Sequence, residues 1–280
     1  MIKDAKKVFR EKGTCSQTFF HLLDREFEQV KETEECAADS LAGGIMQRGN
    51  QCGMLWGASL AIGAEAYRRC NNMEQAMKVA VRATKEVMVS FLSRENTFNC
   101  RDITHCDFSN KWSFAKYFFS GRFLYCFKMA EQWAPEAIES AIRGLEIEES
   151  SDDRVSETES FSLNCASLVA KKLGASEQEM VMVAGFAGGM GLSGEGCGAL
   201  SAAIWIRSLD WCRENASKNS FKNPNAVYVV EAFEEATDGK ILCSELAGVK
   251  FNSLEEHCDF IEKGGCQKWI ETLGKSVSWK

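Results

Sequence analysis

GEGCGALSAAIWIRSLDWC, from Gly194 to Cys212, sets a cysteine among glycines and follows it with a long run of small and apolar residues. GNQCGMLWGASLAIGAEAYRRC, from Gly49 to Cys70, does nearly the same, with Cys52 standing 145 positions before Cys197. The glycines let the backbone turn tightly and let another group approach it. The stretch beyond each cysteine reads as a helix with a small-residue face. That face is Gly53, Gly57, Ala58 and Ala61 in the first copy and Gly198, Ala199, Ala202 and Ala203 in the second. It admits a neighbouring helix, or a bulky cofactor, at close range, and close helix packing alone is the simpler account.

Working outward, the resemblance between the two stretches extends over most of the chain. TCSQTFFHLL from Thr14 aligns with NCASLVAKKLG from Asn164, which pairs Cys15 with Cys165 at an offset of 150. Gly43-Gly44 pairs with Gly188-Gly189 at 145, Cys100 with Cys243 at 143, and Cys126 with Cys266 at 140. A steadily falling offset is what a few loop deletions in a duplicated unit produce. Residues 146–160, EIEESSDDRVSETES, are acidic and serine-rich, which is linker composition. The expected organisation is a first repeat over 1–145, a linker over 146–160 and a second repeat over 161–280.

Composition sets the class. Of 280 residues 45% are hydrophobic and only 2 are proline, and Ala/Met/Leu/Glu/Lys-rich segments dominate. These features predict an all-α protein, two tandem helical bundles packed as a pseudo-twofold pair. Cys15 and Cys165 should open amphipathic helices. Ser176-Glu177-Gln178-Glu179 is a capping box after Gly174. Further helices should start near Met73 and at Asn223-Pro224. A loop is expected to carry the third cysteine of each copy, and a final helix the fourth. The aromatic run FAKYFFSGRFLYCF, Phe114 to Phe127, is apolar on most faces and reads as a buried core helix. Its other reading is a dry wall around a redox centre.

The net charge of -7 argues against a nucleic-acid partner, which needs clustered cations. No apolar run is long enough for a membrane span, and MIKDAKKVFREKG lacks a signal-peptide core, so a cytoplasmic protein without a membrane partner is expected. In that setting 13 cysteines, an odd number, point to metal ligation or redox work more than to a disulfide scaffold. A cysteine at a helix N-terminus sits among unpaired N–H groups and at the positive end of the dipole, which favours thiolate. Gly189-Met190-Gly191-Leu192-Ser193-Gly194 spells G-x-G-x-x-G. It follows a helical segment instead of a strand, and the first copy lacks it, so it is not a dinucleotide fingerprint.

The order of these residues resembles the C_GCAxxG_C_C family of redox-active proteins, whose members are typically single units. The resemblance covers about Thr14 to Trp269 and implies two copies in tandem. It makes the signature cysteines Cys15, Cys52, Cys100 and Cys126 in the first copy and Cys165, Cys197, Cys243 and Cys266 in the second. Met54 replaces the motif alanine in one copy, and Ala202 replaces its last glycine in the other. A helical domain of this kind is also similar to part of the split-Soret cytochromes, where an iron–sulfur centre accompanies haem. No C-x-x-C-H occurs here, so no covalent c-type haem is expected.

Four thiols per repeat suit an iron–sulfur cluster, a structural zinc, or a reversible dithiol pair. The spacings are wide, 37, 48 and 26 residues in one copy and 32, 46 and 23 in the other, and no C-x-x-C occurs. That disfavours zinc knuckles and thioredoxin-like sites. The leading expectation is an iron–sulfur cluster per repeat for electron transfer, with those eight cysteines as ligands. Gly43, Gly44, Gly53, Gly188, Gly189 and Gly198 are the backbone positions open to a cofactor. A redox partner protein, or a bound flavin or haem, would exchange electrons, in a monomer with an internal pseudo-dimer or in a homodimer. Metal-free thiol–disulfide exchange and a non-redox helical scaffold stand as alternatives. Cys70 and Cys212 lie about 27 Å and 22 Å along a helix from Cys52 and Cys197, so they read as packing or accessory thiols. The string HCDF occurs at both His105 and His257, at an offset of 152 that breaks the trend and reads as coincidence. Otherwise the two histidines would be alternative ligands or proton carriers. His21 reads as a helix-face or core residue.

Overall fold

The duplication is visible in the helix bounds themselves. The structure is a computed structural model that describes residues 4–108, 110–147, 162–215, 220 and 223–275. Over the first repeat run α1 (Ala5–Lys12), α2 (Cys15–Glu26), α3 (Glu32–Ala38), α4 (Gly53–Arg69), α5 (Met73–Glu95), α6 (Cys100–Thr104), α7 (Lys111–Phe119) and α8 (Phe123–Gly144). Over the second run α9 (Cys165–Lys172), α10 (Glu177–Met182), α11 (Gly198–Glu214), α12 (Pro224–Ala236), α13 (Cys243–Ala247), α14 (Leu254–Glu262) and α15 (Gln267–Leu273). Both ends of α4 and α11 differ by 145, and both ends of α6 and α13, and of α7 and α14, by 143. Among the described residues there is no strand, only the isolated bridges Gln51 to Asn99 and Gly196 to Leu242.

Local chemistry sets several helix starts where the sequence places them. Ser176 and Glu179 form the reciprocal capping box of α10. Asn223 caps α12 with Pro224 at its first position, and Asn72 caps α5 by accepting from the Gln75 N–H. The third cysteine of each repeat opens a short helix, α6 or α13, instead of lying in a loop. The HCDF strings are not equivalent: His105 ends α6 in a left-handed cap, whereas His257 lies inside α14.

α4 and α11 form the centre. Every residue of α4 from Gly53 to Ala66 is buried, as is α11 from Gly198 to Leu209. α4 packs on α2 and α5 of its own repeat and on α10 of the other, while α11 packs on α9, α12 and, from the first repeat, α3. The exchange of α3 and α10 across the join makes the pair pseudo-twofold, and one core runs through both repeats. Trp56, Trp133, Trp205 and Phe186 are fully buried in it, and Trp56 meets Phe186 of the other repeat edge-on at 4.8 Å. The small-residue face is used for helix packing. A Cβ on Gly57 would lie 2.0 Å from the Ser16 carbonyl oxygen of α2, and one on Gly63 2.5 Å from Cα of Met182 in α10.

The aromatic run is not a buried core helix. Gly121, at φ 71°, breaks it into α7 and the start of α8, and α7 buries no residue. Trp112 and Phe119 are 86% and 87% exposed, with Phe118, Leu124 and Tyr125 also exposed. Apolar character on most faces identified a helix without fixing what covers it. Of the linker expected over 146–160, residues 148–160 lie outside the described residues. Among the described residues no helix is long and apolar enough to cross a membrane.

Candidate redox site

In each repeat the signature cysteines are carried to one place by helix starts. Cys15 and Cys165 are the first residues of α2 and α9, and Cys100 and Cys243 the first of α6 and α13. Cys52 and Cys197 are the N-caps of α4 and α11. Cys126 lies in the first turn of α8, and Cys266 is the N-cap of α15, held at φ 55°. Four helix N-termini thus face each cluster of sulfurs, a field that favours negative charge.

Paired backbone bonds fix the second cysteine beside the third. The Cys52 N–H donates to the Phe98 carbonyl at 2.7 Å, and the Cys100 N–H to that of Asn50 at 2.6 Å. The second repeat repeats this: Cys197 N–H to the Ile241 carbonyl at 2.8 Å, and Cys243 N–H to that of Glu195 at 2.5 Å. The turn feeding these cysteines is unusual. Gly43, Gly44, Ile45, Met46 and Gln47 all have positive φ, as do Gly188, Gly189, Met190, Gly191 and Leu192. Left-handed backbone at a β-branched residue such as Ile45 is strained. It persists because its amides are satisfied, Ile45 N–H on the Leu41 carbonyl and Met46 N–H on that of Ser40. The same turn aims the Gly43 N–H at the Cys15 sulfur and the Gly188 N–H at that of Cys165.

The first cavity, about 210 Å³, is lined by Cys15, Cys100 and Cys126 with Gly43, Tyr117 and Phe127 among the rest. Cys52 stands behind Cys15, and their thiols hydrogen-bond. Cys165, Cys197, Cys243 and Cys266 all line the second cavity, which at about 20 Å³ holds little more than one water. Gly198 also lines it. Gly53 lies so close to Cys15 that a Cβ there would sit 2.6 Å from the sulfur. A Cβ on Gly44 or Gly189 would meet the backbone of Asn50 or Glu195, so those two glycines serve the turn.

The thiols are not the thiolates that helix N-termini alone would make them. The hydrogen bond to Cys15 and then burial push Cys52 well up. Burial, exceeding the bonds from Leu200 and Ala199 amides, pushes Cys197 up to about 12. Cys100, Cys165, Cys243 and Cys266 are raised by burial as well, and Cys126 to about 11. Cys15 alone of the eight is lowered, because Cys52 donates to it. Among the described residues neither cavity lining includes a Lys or Arg side chain, so no lining cation offsets desolvation there.

Two other side chains border the cavities: Tyr117, which was not singled out in the sequence, and His257, which was, as an alternative ligand or proton carrier. Tyr117 places its hydroxyl 3.6 Å from the Cys126 sulfur and lines the first cavity. It was hidden in the aromatic run, where its spacing of nine residues from Cys126 was the only signal. His257 is 1% exposed, lines the second cavity and has no hydrogen-bond partner at Nδ1 among the described residues; burial lowers it to about 4. His105 lies instead in a separate surface cleft with Arg122 and Tyr125, and His21 pairs with Glu35 at 2.9 Å on the α2 face. Cys70, Cys106 and Cys258 line neither cavity.

A family model described as "Putative redox-active protein (C_GCAxxG_C_C)" matches residues 14–139 and again 162–278. The chain belongs to the C_GCAxxG_C_C family. It carries two copies of the family's unit, each match enclosing one set of four signature cysteines. No curated protein and no solved structure matches the chain.

The donor set can be weighed against the groups a redox protein of this kind would hold. Among the described residues no three His, Cys, Asp or Glu side chains are grouped so as to hold one metal ion. In the first repeat Cys15, Cys100 and Cys126 line a space and do not close on a point, an arrangement suited to a polynuclear group more than to a single zinc. The first cavity has room for such a group; the second, as built, does not.

Proposed function

We propose that this C_GCAxxG_C_C protein is an electron-transfer protein whose first repeat holds a cysteine-ligated iron–sulfur cluster. Cys15, Cys52, Cys100 and Cys126 would be its ligands, and Cys165, Cys197, Cys243 and Cys266 form a compacted second copy of the same site. The observation that carries the reading is that three thiols spread over 112 residues (15 to 126, both ends counted) line one cavity from three helix starts, with the fourth, Cys52, paired to Cys15. Bound there, the cluster supplies one-electron transfer.

The surrounding residues support that role. Buried thiols with raised pKa values give up their protons when a cation replaces them. The Gly43 amide and the helix starts then stabilise the sulfur charge. Phe9, Phe108, Phe123 and Phe127 keep the cavity apolar, which limits water access and tunes potential. The Tyr117 hydroxyl, beside Cys126, can donate to its sulfur.

The Cys15–Cys52 hydrogen bond favours a second reading, reversible dithiol chemistry without metal, since a lowered thiol beside a raised one is a nucleophile with its resolving partner. Purification under strict anaerobiosis, with iron and sulfide determination and a visible spectrum, separates the two. The cluster reading predicts iron and labile sulfide in the wild type, lost in Cys100→Ser and Cys126→Ser but kept in Cys243→Ser. A colourless, iron-free protein after attempted reconstitution, with Cys15 and Cys52 forming a disulfide on oxidation, supports the metal-free reading instead.

A further inference from the structure

Outside both cavities, two cysteines from different repeats meet. Cys36 of α3 and Cys212 of α11 place their sulfurs 2.8 Å apart across 176 residues of chain. That is about 0.8 Å beyond a covalent S–S length. They sit on the α3–α11 contact, one of the two equivalent contacts that join the repeats. At the other, α4–α10, the offset of 145 puts Val181 and Tyr67 in the corresponding places, so the thiol pair exists on one side only. The Cys36 carbonyl is fixed from two directions, by the Gln17 amide and the Ser220 hydroxyl, each at 3.4 Å.

We propose that Cys36 and Cys212 form a reversible disulfide that covalently joins the two repeats, a modification site separate from the eight signature thiols. Cys212 is 2% exposed, whereas Cys36 is only partly buried, so Cys36 meets the oxidant first. Cys212 donates to the Cys36 sulfur, lowering that thiol and raising its own. The oxidant is a small neutral disulfide, because Cys36 is only partly exposed and has Asp39 beside it, with Glu35 paired to Lys12. The Cys36 thiolate attacks one sulfur of that disulfide, forms a mixed disulfide and releases one small thiolate, which takes up a proton. Cys212 then gives up its proton, attacks the Cys36 sulfur and releases the second small thiol. Two protein thiols and one small disulfide become one protein disulfide and two small thiols, and two electrons pass from protein to reagent.

The test treats the reduced full-length protein with hydroxyethyl disulfide, alkylates the remaining thiols and maps linked peptides by mass spectrometry without reduction. The expected result is a peptide joining Cys36 to Cys212 in a monomer, lost on dithiothreitol treatment. The oxidised wild type should also unfold at higher urea than the reduced, and Cys36→Ser should remove both that rise and the linkage. Full alkylation of Cys36 and Cys212 after oxidation overturns the proposal, as does a stable adduct on Cys36 with Cys212 still free. The mapping needs no variant, so a misfolded Cys36→Ser protein does not shield the proposal.

Discussion

Replacing Gly57 by alanine sets two physical effects against each other. Helix propensity alone favours alanine in the interior of α4 by about 1 kcal/mol. The packing opposes it. The new Cβ would lie 2.0 Å from the Ser16 carbonyl oxygen, 2.8 Å from its carbon and 3.0 Å from the Phe20 nitrogen. All three are backbone atoms of α2, so no side chain can turn away. Reaching an ordinary 3.4 Å contact from 2.0 Å requires α2 to withdraw by 3.4 − 2.0 = 1.4 Å. Overpacking of this kind costs about 1–3 kcal/mol, and more where rigid backbone must move. After the propensity gain the expected net loss is about 2 kcal/mol, or a melting temperature lowered by roughly 3–4 °C for a chain of this size. The same movement carries Cys15, the neighbour of Ser16, away from Cys52. Its reactivity toward an alkylating agent at neutral pH should fall with the lost hydrogen bond. Ala202→Gly, the converse change at the matching position of α11, should cost about 1 kcal/mol by propensity alone. Urea unfolding followed by circular dichroism reads both. A Gly57→Ala protein as stable as wild type, or more stable, refutes the close contact of α2 with α4 and the placing of Cys15 that rests on it.

Other expectations follow from burial and charge. In reduced, metal-free protein, Cys126 is raised to about 11 and Cys197 to about 12, while unfolded thiols titrate near 9. The folded state holds those protons more tightly, so their contribution is complete below about pH 9 and lost as pH rises toward 12. The urea midpoint should therefore fall steadily above pH 9, and a level midpoint contradicts the buried thiols. Burial raises Asp24 to about 7 from an ordinary 3.8. Its contribution is full below pH 4 and fades as pH rises through 7, so Asp24→Asn should match or exceed wild-type stability at pH 8; a less stable variant argues against that buried carboxyl. Trp112→Ser and Phe119→Ser, at largely exposed positions, should each change stability by no more than about 0.5 kcal/mol. Losses of several kcal/mol would restore the core-helix reading of that segment.

The helical duplication was legible because it is written in local chemistry and in spacing. The Ser176 box, the Asn223-Pro224 start and the shared offset of α4 and α11 need no knowledge of the tertiary structure. The convergence of the cysteines was legible only through their order and family resemblance, since nothing local ties Cys52 to Cys100. The paired bonds to Phe98 and Asn50 that do so belong to the backbone. Two readings failed for want of burial. The helix starts at Cys52 and Cys197 favour thiolate, but desolvation in cation-free cavities outweighs them. The aromatic run is apolar, yet α7 lies on the surface. The left-handed path through Ile45-Met46-Gln47 runs against residue preference and is held by carbonyls of the preceding turn. The Cys36–Cys212 contact joins two helices from different repeats, and no periodicity announces it.

The most direct measurement is the position of the sulfurs in an anaerobic crystal of the reduced protein, located by their anomalous scattering. The account predicts one group of four at Cys15, Cys52, Cys100 and Cys126, a second at Cys165, Cys197, Cys243 and Cys266, and Cys36 with Cys212 as a pair apart from both. A sulfur of either group of four found away from its companions would contradict it.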